Sequence, residues 1–579
     1  VTASPERFDA IVIGSGFGGA VTAYRLAEAG KRVCVLERGR AYPPGSFART
    51  PSQMRTNFWD PTKGLYGLFD LWSFHGLNAL VSSGLGGGSL IYANVLLRKD
   101  ERWFVTEDLD NGGFEHWPVT RDDLDPHYDR VEAMIRPQLY PLEHEPYAST
   151  PKTQEFRRAT EAIGLAWFRP PLAVAFASDG DDPVPGERVH EAHPNLHGRS
   201  RHTCRLCGEC DIGCNYGSKS SLDFNYLTEA KRLGAELWTR CEVRKLAPEP
   251  GGGYRVNYVR YDEADEREGR PTDIFDPEVF RHELVADRVI LAGGTLGTVR
   301  LLLRNRAAFP LMSDQLGNRF CGNGDLLTFA HGASHTDGTT RRQRRIDPSF
   351  GPVITSAARV PDELDGGEGR GLYVEDAGFP AIATWLLQLA EGPGDLWRWR
   401  REAFRFARER MRPGYRHTGR SAAFAGLMGT AQLSSSLLPL LSMGRDVADG
   451  RMYLRDNHLQ VDWRKGSAKR AGRRGRSGPY FDRARGISKQ IADELGATLR
   501  DNPIWFMRRV ITVHPLGGCS MATDPRHGVV DPWGRVFGYP GLYVADGSVM
   551  PGPVGANPSL TIAALADRFA DGILAEKAS

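Results

Sequence analysis

The sequence predicts an α/β fold. A parallel-sheet domain alternates along the chain with a second, α+β domain, an antiparallel sheet covered by helices. Three observations point there. Residues 8–13 (FDAIVI) form a short apolar strand that runs into a glycine-rich turn and a helical pattern. A similar strand and turn, residues 289–295 (VILAGGT), recurs far downstream, followed by the helical LGTVRLLLRN. Long insertions separate these elements, so the domains are discontinuous.

The first strand is β-branched and apolar, as a buried parallel strand requires. Its turn reads Gly14-Ser15-Gly16-Phe17-Gly18-Gly19, with the G-x-G-x-x-G frame on Gly14, Gly16 and Gly19. Gly14 allows the tight turn, Gly16 admits a pyrophosphate, and Gly19 lets the helix pack on the sheet. The phosphates then meet a helix N-terminus. The helical AVTAYRLAEAG ends at Gly30, and the strand RVCVLE ends at Glu37. That carboxylate suits a ribose diol and would repel a 2′-phosphate, which points to FAD or NAD and away from NADP. FAD is the longer ligand. Two further glycine-rich elements, Gly84–Ser89 (GLGGGS) and the turn at Gly293, offer the extra contacts it needs.

The C-terminal region carries candidate chemistry. RRVITVHPLGGCSM puts His514 at the end of an apolar strand. Further on, a strand over 543–545 ends at Asp546, and Asn557-Pro558 precedes a helix from Ser559. His and Asn suit an alcohol hydroxyl, one accepting its proton and the other hydrogen-bonding its oxygen while hydride leaves to a flavin. His514 could instead be structural, and Asn557 could cap the helix. His527, in a polar turn after Asp524-Pro525, is the weaker histidine.

These stretches, with GSKSSLDFNYL and LGNRFCGNGDLL, resemble the glucose–methanol–choline (GMC) family of flavoprotein oxidoreductases, in particular its cholesterol-oxidase-like subgroup. The resemblance extends from Phe8 to about Arg568 and is weakest over 346–489. It implies a Rossmann-type FAD-binding domain over 1–100, 200–345 and 490–579, and a substrate domain over 101–199 and 346–489. It implies FAD contacts from Gly14, Gly16, Phe17, Gly18, Gly19, Glu37, Val243, Gly293 and Pro558. Gly86, Gly87, Gly88, Ser89 and Asn94 would lie near the isoalloxazine, and Asp546 near the ribityl or pyrophosphate. His514 and Asn557 match the family's active-site pair. The GLGGGS stretch has no histidine, so the expected FAD is non-covalent. The resemblance also raises Glu375 as a further base, against the plainer reading of an exposed or salt-bridged glutamate. The expected substrate is a bulky hydrophobic alcohol such as a 3β-hydroxysteroid. A flavin electron carrier without an alcohol substrate, a GMC enzyme on a non-steroid alcohol, and lyase or photochemical use of FAD are the alternatives.

Four of the 8 cysteines, Cys204, Cys207, Cys210 and Cys214, are spaced C-x2-C-x2-C-x3-C. That spacing matches a bacterial ferredoxin run, with Asn215 in place of the usual proline. An iron–sulfur cluster, disulfides, zinc and free thiols are the open readings; the redox compartment limits the disulfides, and the short even gaps limit zinc. A cluster would direct electrons to a redox carrier, and its absence would leave O2 as the acceptor.

Composition sets outer bounds. The 579 residues exceed the ~250–300 at which single cores stop growing, which requires more than one folding unit. Lys+Arg is 74 against 71 for Asp+Glu, without the basic excess of a nucleic-acid binder. No apolar run approaches the ~18–20 residues of a membrane span, and no signal h-region is evident, so the expected location is the cytosol. Residues 395–416 form a basic, aromatic-rich amphipathic stretch, read as a surface helix or as a peripheral membrane contact. Residues 464–476 read as a charged loop.

Overall fold

The computed structural model describes residues 5–74, 76–109, 111–273, 282–362, 370–380, 435–463, 476–501 and 510–576. The amphipathic stretch 395–416 and most of the charged loop lie outside the described residues. Among the described residues, no helix is long and apolar enough to cross a membrane.

The glycine motif sits in a seven-stranded sheet. Strand Glu6–Ile13 is central and pairs in parallel with Val33–Leu36 on one side and His282–Leu291 on the other. Glu236–Trp238 extends the first side, and Leu542–Val544 pairs in parallel with the end of His282–Leu291. The strands Tyr254–Arg260 and Cys241–Pro248 add an antiparallel edge. Val12, Cys34 and Ile290 are fully buried, because helices cover parallel strands on both faces. The helix Phe17–Glu28 packs on the C-terminal helix Ser559–Ala575 and on Tyr226–Arg232.

Register lines up the strand ends. Leu36, Ile13, Leu291 and Val544 occupy one row across four parallel strands. Glu37, Gly14, Gly293 and Asp546 follow those ends, so motifs hundreds of residues apart meet at one carboxyl edge. Ligands of open α/β sheets bind at such an edge. This is a Rossmann-type fold.

The second sheet is antiparallel throughout. Its order is Thr498–Asp501, Leu326–His331, Leu438–Gly444, Leu372–Asp376, Ala357–Val360 and Ala166–Phe168. Helices Gly478–Glu494 and Pro151–Ala162 pack against it. Two of its strands, Leu326–His331 and Thr498–Asp501, come from segments expected in the nucleotide domain. Their alternating burial suits a sheet with two unlike faces rather than a fully buried parallel strand.

The first insertion is more regular than its prolines and aromatic residues suggest. Thr120 caps the helix Arg121–Ile135 through a capping box with Asp123, and Leu124, Tyr128, Val131 and Ile135 form its buried stripe. Trp167 and Phe168 lie in an edge strand, held by pairing with Ala358 and Ala357.

Candidate active site

The nucleotide cradle is built by close backbone contacts. Gly14 has φ +101°, and a side chain there would meet Ala292 O at 2.3 Å. A Cβ on Gly19 would meet Gly14 O at 2.0 Å, so the helix can approach the strand only as glycine. Gly16 differs. A Cβ there would meet nothing within 4 Å, which leaves its backbone facing open space where a pyrophosphate fits. Gly87 has φ +55° and lies against Gly16, and Gly88 faces open space. The two expected cofactor loops therefore meet. Phe17 and Gly18 are buried in the first turn of the helix, and Gly18 packs on Ala545.

Glu37 is buried at the strand end. Its Oε2 accepts from the Ser15 hydroxyl at 2.6 Å and Ser15 N at 3.1 Å, and Oε1 accepts from Gly39 N at 2.9 Å. Burial raises its pKa, and the Ser15 and Gly39 donors oppose that rise. Oε1, with Gly39 N as its one donor, keeps a second acceptor position for a ribose hydroxyl. Asp546 ties the edge together: one oxygen accepts from Ser548 and the other from Thr298. Gly293 N donates to Thr298 Oγ1 at 3.1 Å. Val243 is half-buried beside a β-bulge. The Ser89 hydroxyl accepts from Leu222 N at 3.1 Å. Asn94, expected near the ring system, is fully buried with φ +74°, and its side chain lies against the Cys210 thiol.

His514 reaches this edge through a small sheet. Strand Val510–Thr512 runs parallel to Leu77–Ser82, whose continuation is the GLGGGS loop. Parallel pairing puts His514 and that loop at the same end. Asp325 fixes the imidazole. Its Oδ1 contacts His514 Nδ1 at 2.7 Å, and its Oδ2 accepts from Thr512 Oγ1 at 2.9 Å, Val513 N at 2.8 Å and His514 N at 3.1 Å. Nδ1 thus carries the proton toward Asp325, which leaves Nε2 as the acceptor.

The same turn holds the other half of the pair. Asn323, with φ +55°, donates to Ala556 O at 2.9 Å and accepts from Gly555 N at 2.8 Å. Lys99, fully buried over the Trp117 ring, donates to Pro553 O and Val554 O at 2.7 and 3.1 Å. These contacts position Asn557 just before the C-terminal helix. Asn557 does not cap that helix: Pro558 is the cap residue, no side chain makes a capping bond, and Asn557 Oδ1 is buried without a partner.

Glu375 completes the group, and the plain reading of an exposed or salt-bridged glutamate fails. The residue is fully buried, makes no ion pair among the described residues, and leaves both oxygens without a hydrogen-bond partner. Burial pushes its carboxyl up to about 8, the adjacent Asn557 amide pulls it back in part, and Asp376 and Asp325 add to the rise. In the sheet, Glu375 lies in one row with Phe168, Ala357, Leu441 and Leu327. All its row neighbours are apolar, and Phe168, Leu441 and Leu327 remain half-exposed.

Asp325 and Asn323 escaped the sequence reading. Their signal was present in LGNRFCGNGDLL, where Gly324 permits a tight turn, but their partners lie some two hundred residues away. His527 sits in a surface turn against Asp524, at 2.9 Å, as expected. Cys204, Cys207, Cys210 and Cys214 line one pocket.

Comparison with known proteins agrees with this arrangement. A model described as FAD dependent oxidoreductase matches residues 9–84, and two GMC oxidoreductase models match residues 192–309 and 479–566. The chain is 29% identical to a protein named cholesterol oxidase from Mycobacterium tuberculosis, over 97% of this chain and 90% of that one. It is 28% identical to a cholesterol oxidase from Acinetobacter baumannii, over 98% and 94%. It is 23% identical to a 2-methyl-1,2-propanediol dehydrogenase from Mycolicibacterium austroafricanum, over 99% and 96%. The crystal structure of pyridoxine 4-oxidase from Mesorbium loti shares the fold, with a TM-score of 0.56 at 18% identity, over 98% of this chain and 100% of that one. The chain carries the N- and C-terminal GMC oxidoreductase domains, is cholesterol-oxidase-like along nearly its whole length, and is an FAD-dependent alcohol oxidoreductase.

Proposed function

We propose that the substrate is a bulky, largely apolar secondary alcohol of the 3β-hydroxysteroid class, oxidised to its ketone. The observation that carries this reading is the row Phe168, Ala357, Glu375, Leu441 and Leu327, in which a single carboxyl stands among apolar side chains. Such a row favours a rigid hydrocarbon body, and the polar groups gather at one end. The names of the two cholesterol oxidases support the same class.

FAD would be held by Gly14, Gly16, Gly19, Glu37, Gly86–Ser89 and Asp546, on the interleaved segments 1–100, 200–345 and 490–579. Bound FAD supplies the hydride acceptor at its N5. His514 Nε2 takes the hydroxyl proton, and Asp325 stabilises the resulting imidazolium. Asn557 hydrogen-bonds the substrate oxygen and keeps the carbon–hydrogen bond aimed. Glu375, neutral at pH 7 on its raised pKa, adds a hydrogen-bonding group without a buried charge. The electron acceptor depends on the four-cysteine loop, the candidate iron–sulfur site.

Anaerobic titration of the holoprotein with a panel of alcohols tests the reading. A 3β-hydroxysteroid should bleach the flavin absorbance and a short diol should not. In His514→Ala, bleaching should slow by about 10²–10⁴-fold with FAD still bound. Preference for the short diol would overturn the substrate class. Flavin that no alcohol reduces would favour an electron carrier or a lyase.

A further inference from the structure

We propose that Cys204, Cys207, Cys210 and Cys214 hold a [4Fe–4S] cluster, which serves as a one-electron outlet beside the flavin loop. The cysteines lie on a coil kept open by left-handed residues: Leu206 at φ 59°, Gly208 at 66°, Gly213 at 89° and Gly217 at 65°. This coil turns all four toward one pocket, which they line together with Lys219. Cys204 and Cys210 are buried, and Cys207 and Cys214 are half-buried, so the pocket has an inner wall and an outer edge.

All eight cysteines are unpaired, so no disulfide joins the run. One tetrahedral zinc ion with Zn–S near 2.3 Å would draw its sulfurs to about 3.8 Å from one another. Among the described residues, no three of these sulfurs lie within 4.8 Å of each other. A cubane places each thiolate on a different iron and so accepts a wider set. Leu206 N already donates to Cys204 Sγ at 3.4 Å, the kind of bond that tunes a cluster sulfur.

Charge and connectivity agree. Lys219 is buried and forms no ion pair among the described residues. Its ammonium donates only to carbonyls, those of Leu90 at 3.1 Å, Tyr92 at 2.8 Å and Cys210 at 2.9 Å. Burial is costly to this cation; Cys210, Cys214, Asp211 and Asp223 are the acidic groups that act on it, and thiolates held in a cluster would offset that cost further. The same three bonds fasten the cysteine loop to the segment that follows Ser89 in the flavin loop. Asn94, in that segment, lies against Cys210. The cysteines thus sit directly behind residues assigned to the cofactor.

The outlet role rests on the proposed alcohol oxidation, whereas the cluster rests on the cysteine geometry alone. In each turnover the alcohol loses one hydrogen as hydride and one as a proton and becomes the ketone. Its two electrons leave in two single steps through the cluster to two molecules of a one-electron carrier protein, and two protons reach solvent.

The full chain, purified without air, should contain about four iron and four acid-labile sulfide per chain and give a cluster EPR signal on reduction. Zinc without sulfide, or neither metal, overturns the proposal. In the double variant Cys207→Ala/Cys214→Ala, iron and the EPR signal should vanish. A steroid alcohol should still bleach its flavin, while reduction of added cytochrome c is lost. Undiminished cytochrome reduction in that variant would overturn the outlet role. If the variant does not fold, iron and sulfide in the unaltered protein still decide for or against the cluster. A wild-type protein with iron and sulfide whose flavin no alcohol reduces would keep the cluster and reject the proposed substrate chemistry.

Discussion

Asp325 and Glu375 are both buried carboxyl groups close to the proposed substrate hydroxyl, yet their surroundings are opposite. Asp325 is saturated: the Thr512 hydroxyl, two backbone N–H groups and the His514 ring all bond to it. Glu375 has no completed hydrogen bond and a carboxyl raised by burial to about 8. Equal burial therefore produces two different tools. A saturated acceptor fixes a neighbour's geometry, and a bare one stays available for a ligand.

Replacing Asp325 should give the larger effect. In Asp325→Asn the side-chain amide no longer matches four donors, and the imidazole loses its enforced tautomer. Flavin reduction by substrate should slow by roughly 10²-fold or more. FAD content should be unchanged, and Asp325→Glu should recover part of the rate. Stopped-flow absorbance reads both, and a wild-type rate in Asp325→Asn would end the positioning role.

Altering the cradle should affect binding and spare the pair. Gly16→Ala puts a methyl into the open space meant for the pyrophosphate. FAD affinity should fall by about tenfold, with little change in the apoprotein's stability. Fluorescence titration of the apoprotein checks this. Unchanged affinity would move the pyrophosphate elsewhere.

A third effect is on stability, and its sign is set by linkage. The folded pKa of Glu375 lies near 8, above its ordinary 4.5. Between those values the folded state holds the extra proton, so stability falls as pH rises through this window, by at most about 1.4 kcal/mol per pH unit. Glu375→Gln should flatten that slope. Urea unfolding at pH 6 and at pH 8 measures it, and identical slopes would mean that Glu375 ionises normally.

The contrast also explains what could be read from sequence. The G-x-G-x-x-G turn and Glu37 are local, and their physics acts within a few residues. His514 and Asn557 were readable as chemical types beside strand and helix ends. Asp325 was not, because its meaning lies in a partner at position 514. The burial of Glu375 was equally hidden, since it depends on the register of Ala357 and Leu441 on neighbouring strands. Leu326–His331 and Thr498–Asp501 crossed the expected boundaries for the same reason: strand membership is decided by pairing.

The turn at Asn323 and Asp325 has a consequence for the order of assembly. It grips Gly555, Ala556 and His514, all of which leave the ribosome long after it. Strand Leu542–Val544, which completes the parallel sheet, is equally late. A nascent chain can therefore form the glycine turn and its first helix early, while His514 and Asn557, the proposed catalytic pair, are still missing.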